Sequence, residues 1–359
     1  MNKIIRFLLT IAVSSALFAC SSTSEVPEGD RLYTGLEPIK YTDYESNEHF
    51  TATQEEIEAA LDCPPNGAIF GSSYYRSPFP YSLWIWNAFH ESESPIGKWV
   101  TKTFGNQPVL MSWVNPALRA SVAQSQLRNH GYFRGTVNYE EKPYSKHPKA
   151  KIAYHVDCGH LFTIDTVTYS NFPLNADSLI AASADEAKIK SGSPFDVVSL
   201  DAERNRLSNL FRNNGYYYYQ PSYASYRADT VNTPGKVKLD VELADNLPEK
   251  ALKKWYIGNI SINLRRTFME ELKDSIHYYF FHAYFNGKKP PVRPRVIMSD
   301  MKLRHGQPYD YSKHTESNNR IASKGMFSSV DFQFTPRDTT AACDTLDLLL
   351  NCVFDKPYD

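Results

Sequence analysis

The sequence predicts an α+β protein made of three tandem β-α-α-β-β domains, each a three-stranded mixed sheet covered by two helices. Three recurring signals predict it. LRNHGYFRGTV (127–137), FRNNGYY (211–217) and IASKGMFSSVDF (321–332) each place an apolar residue, Leu127, Phe211 or Ile321, four positions before a glycine. Aromatics follow Gly131, Gly215 and Gly325 within two residues. A glycine can close an amphipathic helix in the left-handed conformation without a Cβ clash, so these three positions are structural. The second signal is G-x-P-aromatic-D, at GSPFD (192–196) and GQPYD (306–310), with the looser GNQPVL at 105–110; Pro and Asp there suit a turn leading into a helix. The third is an alternating apolar run closing each domain: Ile152, Tyr154, Val156; then Val237, Leu239, Val241, Leu243; then Leu348, Leu350, Cys352, Phe354.

Each domain opens on a short strand. Leu36, Ile39 and Tyr41, then Ile164, Val167 and Tyr169, then Ile257, Ile260 and Ile262 share the spacing i, i+3, i+5, which predicts a local irregularity after the first apolar residue. Helices follow, then the glycine, then a second strand predicted over 132–139, 216–223 and 327–334. In the closing run KVKLDVEL the intervening positions are Lys236, Lys238, Asp240 and Glu242, so one face is buried and the other wet. The domains run over 31–159, with an insertion at 64–104, then 160–247 and 248–359.

The N-terminus reads MNKIIRFLLTIAVSSALFACSS, with Lys3 and Arg6 ahead of roughly a dozen apolar residues, the length of a secretory signal core and too short to span a bilayer. Leu17, Phe18, Ala19 and Cys20 resemble the lipobox of a bacterial lipoprotein. That resemblance makes 1–20 a signal peptide, 21–30 a polar tether and Cys20 the lipidation site, hence a membrane contact through the lipid anchor outside the cytoplasm.

Lys+Arg is 39 against 40 Asp+Glu, which gives no basic field for nucleic acid. Aromatics are 14% of the chain and Tyr numbers 24, a usage suited to sheets. The spacing of Cys63, Cys158, Cys343 and Cys352 matches no disulfide framework. His155, Cys158 and His160 lie near one another, but only Cys158 and His160 share a strand face and no fourth ligand is evident, so no metal or other cofactor is expected. The sequence holds no G-x-S-x-G elbow, phosphate-binding glycine loop or HExxH pair, and an enzyme is not expected.

The repeated unit behind an export signal looks like a string of POTRA domains. PPNGAIFG (64–71), PYSLWIWN (80–87), WVTKTFGNQPVLMS (99–112) and RLYTGLEPIKY (31–41) resemble the TamA-like lipoprotein of Bacteroidota, in the BamA/TamA family. The resemblance implies a periplasmic scaffold tethered to the outer membrane and acting in its biogenesis. Its implied partners are unfolded outer-membrane protein clients, or a TamB-like or barrel subunit. The chain departs from that family in stopping at DLLLNCVFDKPYD, where a barrel would begin. A split or truncated gene whose barrel is encoded separately is therefore an alternative, and a glycan-binding surface lipoprotein using Trp84, Trp86, Trp99 and Trp113 is another.

In POTRA domains the strand after the second helix typically forms an edge, which can accept an extended polypeptide through backbone pairing. The expected binding positions are Tyr132, Val137 and Tyr139; Tyr216, Tyr218 and Tyr223; and Phe327, Val330 and Phe332. The run YYYY at 216–219 is expected to alternate, two rings on the helices and two in water.

Overall fold

The computed structural model describes residues 22–355; Cys20 lies outside them. They contain three sheets, and among the described residues no strand of one sheet pairs with a strand of another. The chain divides into two compact units. One holds the described residues up to Thr163 with Pro194–Val197 and Pro234–Lys236; the other holds Ile164–Ser193, Val198–Thr233 and the described residues from Val237 onward.

The first sheet has a broken opening strand, β1 (Leu32–Leu36) and β2 (Lys40–Thr42). Then come helices α1 (Glu48–Leu61), α2 (Tyr81–Phe89), α3 (Pro95–Phe104), α4 (Met111–Val114) and α5 (Pro116–Asn129), and strands β3 (Thr136–Pro143) and β4 (Lys149–Asp157). β4 is central: β1 and β2 run parallel to it on one side and β3 antiparallel on the other. Leu36 faces Ile152 while Lys40 faces His155, so the opening strand carries one residue more than its partner across that gap. Asn47 starts α1 by accepting from the Phe50 N–H at 2.8 Å, and Asn115, at φ 47°, starts α5 by accepting from the Leu118 N–H. α1 and α5 pack together over a core of Tyr33, Ile57, Leu61, Leu127, Ile152 and Tyr154, all fully buried.

The second repeat comprises β5 (Thr163–Ser170), α6 (Leu174–Ala182), α7 (Val197–Asn213), β6 (Ala224–Asp229) and β7 (Lys236–Leu243), with strand order β5-β7-β6. In α7, Glu203 has no exposed surface and its Oε1 lies 2.6 Å from Nη2 of Arg206. Burial alone would raise that carboxyl, but hydrogen bonds from Arg206, the Lys188 N–H and the Tyr169 hydroxyl outweigh it and hold it below the usual carboxylate range.

The third repeat departs from three strands. After β8 (Tyr256–Arg265) it inserts a hairpin, β9 (Asp274–His277) and β10 (His282–Phe285), before α8 (Pro294–Asp300), α9 (Tyr311–Ala322), β11 (Phe327–Pro336) and β12 (Thr345–Phe354). The order is β11-β12-β8-β10-β9. Against β12, Ile257 faces Leu346 and Ile260 faces Leu348, so the expected irregularity is a one-residue bulge. Asp347 fills it, accepting from the Asn259 N–H at 2.7 Å and from Arg337 Nη2 at 2.7 Å.

Gly131, Gly215 and Gly325 take φ of +87°, +102° and +68°. Beyond the first two, the Tyr132 N–H reaches back to Leu127 O (2.9 Å) and the Tyr216 N–H to Phe211 O (3.1 Å), the closure expected of a helix ending on a left-handed residue. The predicted second strand does not start there. A tight turn intervenes in both repeats, with the Gly135 N–H on Tyr132 O and the Tyr219 N–H on Tyr216 O, so β3 begins at Thr136 and β6 at Ala224.

That turn overturns the alternation expected of 216–219. Tyr216 and Tyr219 are buried beside Phe211, at ring distances of 5.7 and 4.6 Å. Tyr217 lies against Tyr309 (4.8 Å) and Phe334 (5.3 Å), and Tyr218 against Trp255 (5.1 Å). The second and third repeats therefore share one compact unit through this run. In the first unit Phe133 occupies the matching turn position and packs on Phe162 (5.1 Å) and Phe195 (4.9 Å).

Candidate polypeptide-binding edges

Each sheet has an opening edge and a far edge, and the fold treats them differently. The opening edges are occupied by the G-x-P segments. The Ile257 N–H donates to Gln307 O at 2.8 Å and the Gly306 N–H returns to Ile257 O at 2.7 Å. The Ile164 N–H donates to Ser193 O at 2.8 Å and the Gly192 N–H to Ile164 O at 2.7 Å. Gly192 and Gly306, at φ +84° and +75°, turn the chain so that the residues ahead of Pro194 and Pro308 can lie along the strand. In the first unit the looser motif does the same: the Tyr33 N–H donates to Val109 O at 2.9 Å, and the Met111 N–H to Arg31 O at 2.8 Å. Hairpin β9–β10 extends this cover along β8 and makes β9, only four residues long, the outermost strand on that side, paired among the described residues with β10 alone.

At the far edges, β3, β6 and β11 each pair with one strand only among the described residues. Their outer backbone is a template for another strand, and charge and shortness are what normally protect it. β3 carries Glu140, Glu141 and Lys142 in eight residues and ends on Pro143; Arg31 bonds Glu141 at 3.0 Å. β6 has six residues, with Arg227 and Asp229 among them. β11 has ten residues, roughly 33 Å of strand, and Asp331 is its one charge. Its Phe332 and Phe334 rings lie 4.9 and 5.1 Å from His314 on α9, so the strand is held from its inner face while Ser329, Asp331, Gln333 and Thr335 stand exposed.

The expected binding positions separate accordingly. Val137 and Tyr139 lie on β3, and Phe327, Val330 and Phe332 on β11. Tyr132, Tyr216, Tyr218 and Tyr223 are not on edge strands: the first three lie in the turns after the glycines, and Tyr223 lies in a short 3-10 turn, Pro221–Tyr223, against Tyr219. Tyr132 and Tyr216 are buried and offer nothing to a partner. Val137 and Phe327 are also buried, so their contribution to an edge is backbone, not side chain. Sequence reasoning missed the protection of the opening edges, although the repeated G-x-P spacing was its visible signal.

Burial pushes the Cys158 thiol up to about 12, with Asp157 and Asp43 adding to it, which disfavours the thiolate a metal would need. Among the described residues no group of three His, Cys, Asp or Glu could hold a metal ion, and no helix is long and apolar enough to cross a membrane.

No family model and no curated protein matches the chain. Among solved structures, POTRA3–5 of Haemophilus influenzae BamA aligns at 10% identity over 92% of this chain and 100% of that one, with a TM-score of 0.40. BamA of Haemophilus ducreyi lacking POTRA domains 1–3 aligns at 10% identity over 54% of this chain and 30% of that one, TM-score 0.39. POTRA1–3 of Omp85 from Anabaena aligns at 10% identity over 92% and 98%, TM-score 0.28.

Proposed function

We propose that the chain is a non-enzymatic periplasmic scaffold of an outer-membrane biogenesis system, built from POTRA-like repeats and tethered to the outer membrane through a lipid on Cys20. It takes up extended polypeptide, from an unfolded outer-membrane client or a TamB-like or barrel subunit, by strand addition. β11 is the principal acceptor. The observation that carries this reading is the contrast of edges: among the described residues β11 is unpaired on one side, and it is the longest far edge and bears a single charge. Backbone pairing makes few demands on side-chain sequence, which suits varied clients.

The test is photo-crosslinking from the exposed positions Ser329, Asp331 and Gln333, with Arg227 on β6 and Asn138 on β3 as comparators. Crosslinks to outer-membrane polypeptides should be several-fold stronger from β11. Equal yields from all three edges would remove β11 as the acceptor, and no crosslinks at any of them would overturn strand addition.

A further inference from the structure

The first unit carries an apolar helical hairpin that its own core leaves uncovered. α2 and α3 pack on one another, yet Leu83 is the buried residue of α2 and Gly97 that of α3. Ile96 is 73% exposed, Tyr81 65%, Trp99 59% and Phe104 53%. Ile96 and Trp99, three positions apart, share one helix face. Trp99 stands edge-on to Phe104 at 5.8 Å, and Phe79, Tyr81 and Trp84 form a second cluster at 5.4 to 6.2 Å. Exposed apolar clusters of this kind on one hairpin point to a contact site.

The chain's entry into the fold says what covers it. Glu25 Oε2 lies 3.4 Å from Nε2 of His90, the residue that ends α2. Cys20 is only five residues before Glu25, so a lipid attached there starts within about 17 Å of the hairpin. Lys98 and Lys102 on α3 are offset by Glu91 and Glu93 in the preceding loop, so headgroup charge is not the attraction. Tryptophan and tyrosine rings, each with an apolar body and one polar atom, favour the boundary between acyl chains and headgroups. Two helices this short would hold a bilayer only weakly by themselves, but a tether keeps them at high local concentration beside it.

We propose that the α2–α3 hairpin sits in the interface of the membrane that bears the anchor, with Ile96, Trp99 and Phe104 in contact with phospholipid acyl chains. The proposal rests on the reading of Cys20 as a lipidation site. It is tested with the full-length lipidated chain in phosphatidylethanolamine/phosphatidylglycerol vesicles whose acyl chains carry bromine, reading quenching of tryptophan emission. Quenching is expected in the parent chain, persisting at about 0.5 M salt where charge attraction is screened. It should fall at least twofold in the double variant Ile96→Asp, Phe104→Asp, which keeps Trp99 as reporter and alters only exposed side chains.

No quenching in the parent, or equal quenching in the variant, overturns the proposal. So does concentration-dependent self-crosslinking of the hairpin without quenching, which would assign the face to a second copy. Incorporation of labelled palmitate at Cys20 reports the anchor separately: acylation without quenching sinks the hairpin alone, and quenching without acylation sinks the anchor while supporting the hairpin.

Discussion

Two stretches of this chain are dense in aromatic side chains, and the fold uses them in opposite ways. Residues 216–219 are four consecutive tyrosines, and every ring is packed against another ring of the same compact unit. Residues 79–104 spread seven aromatics over two helices and the residues just before them, and leave Phe79, Tyr81, Phe89, Trp99 and Phe104 exposed. Composition does not separate the two cases. What separates them is a neighbour: a turn after Gly215 aims successive rings at two different cores, while α2 and α3 bury only Leu83 and Gly97 and leave most of their rings exposed.

The contrast makes graded predictions. At the packed end, Phe211→Ala removes a ring with 1% exposure that touches Phe172, Tyr216 and Tyr219, and should cost about 3–5 kcal/mol in urea unfolding of the intact chain. At the exposed end, Trp99→Ala should stay within about 0.5 kcal/mol. Similar losses from both would erase the distinction between packed and uncovered aromatics.

Glycine substitutions sharpen the same point at backbone level. Gly131→Ala combines φ +87° with a Cβ 2.7 Å from Phe195 O, whereas Gly325→Ala at φ +68° meets open space. The first should exceed the second, which carries only the left-handed penalty of about 1–2 kcal/mol. Equal costs would mean that close approach adds nothing.

A further effect is a dependence on pH. His314, which packs against Phe332 and Phe334, is held down to about 4 by burial and by Arg212. Its folded pKa lies below the ordinary value of about 6.5, so the unfolded chain takes up the proton first. Stability from this group is complete above about pH 6.5 and is lost as pH falls toward 4. His314→Asn should flatten that part of the stability profile. Glu203, also shifted down, acts at the acid end: its contribution is present above the ordinary carboxylate value and disappears as pH drops through the lower folded one.

Much of the architecture was legible because it repeats. The closing strands β4, β7 and β12 announce themselves by alternation, and the i, i+3, i+5 spacing of the openers encoded a bulge that pairing across Ile257 and Ile260 displays. The glycines at 131, 215 and 325 were legible because only the left-handed region explains them at a helix end. The turns at 132–135 and 216–219 were not, because runs of tyrosine and phenylalanine carry strand propensity whether or not a strand forms. Hairpin β9–β10 was hidden by four-residue strands too short to show a period. At the site, Val137 and Phe332 could be placed on edge strands from sequence. Which edge is undefended depends on backbone bonds from Gln307, Ser193 and Val109, and residue patterns do not record those.

The interlock made by Tyr217 and Tyr218 bears on what counts as a separable piece. Cleaving the peptide bond between Asp245 and Asn246, in the exposed linker ahead of Trp255, would not free the halves, since Tyr217 would still be lodged against Tyr309 and Phe334. Covalent continuity there is dispensable to cohesion, so the two halves should migrate as one particle after the nick and part only when denaturant dissolves the ring contacts.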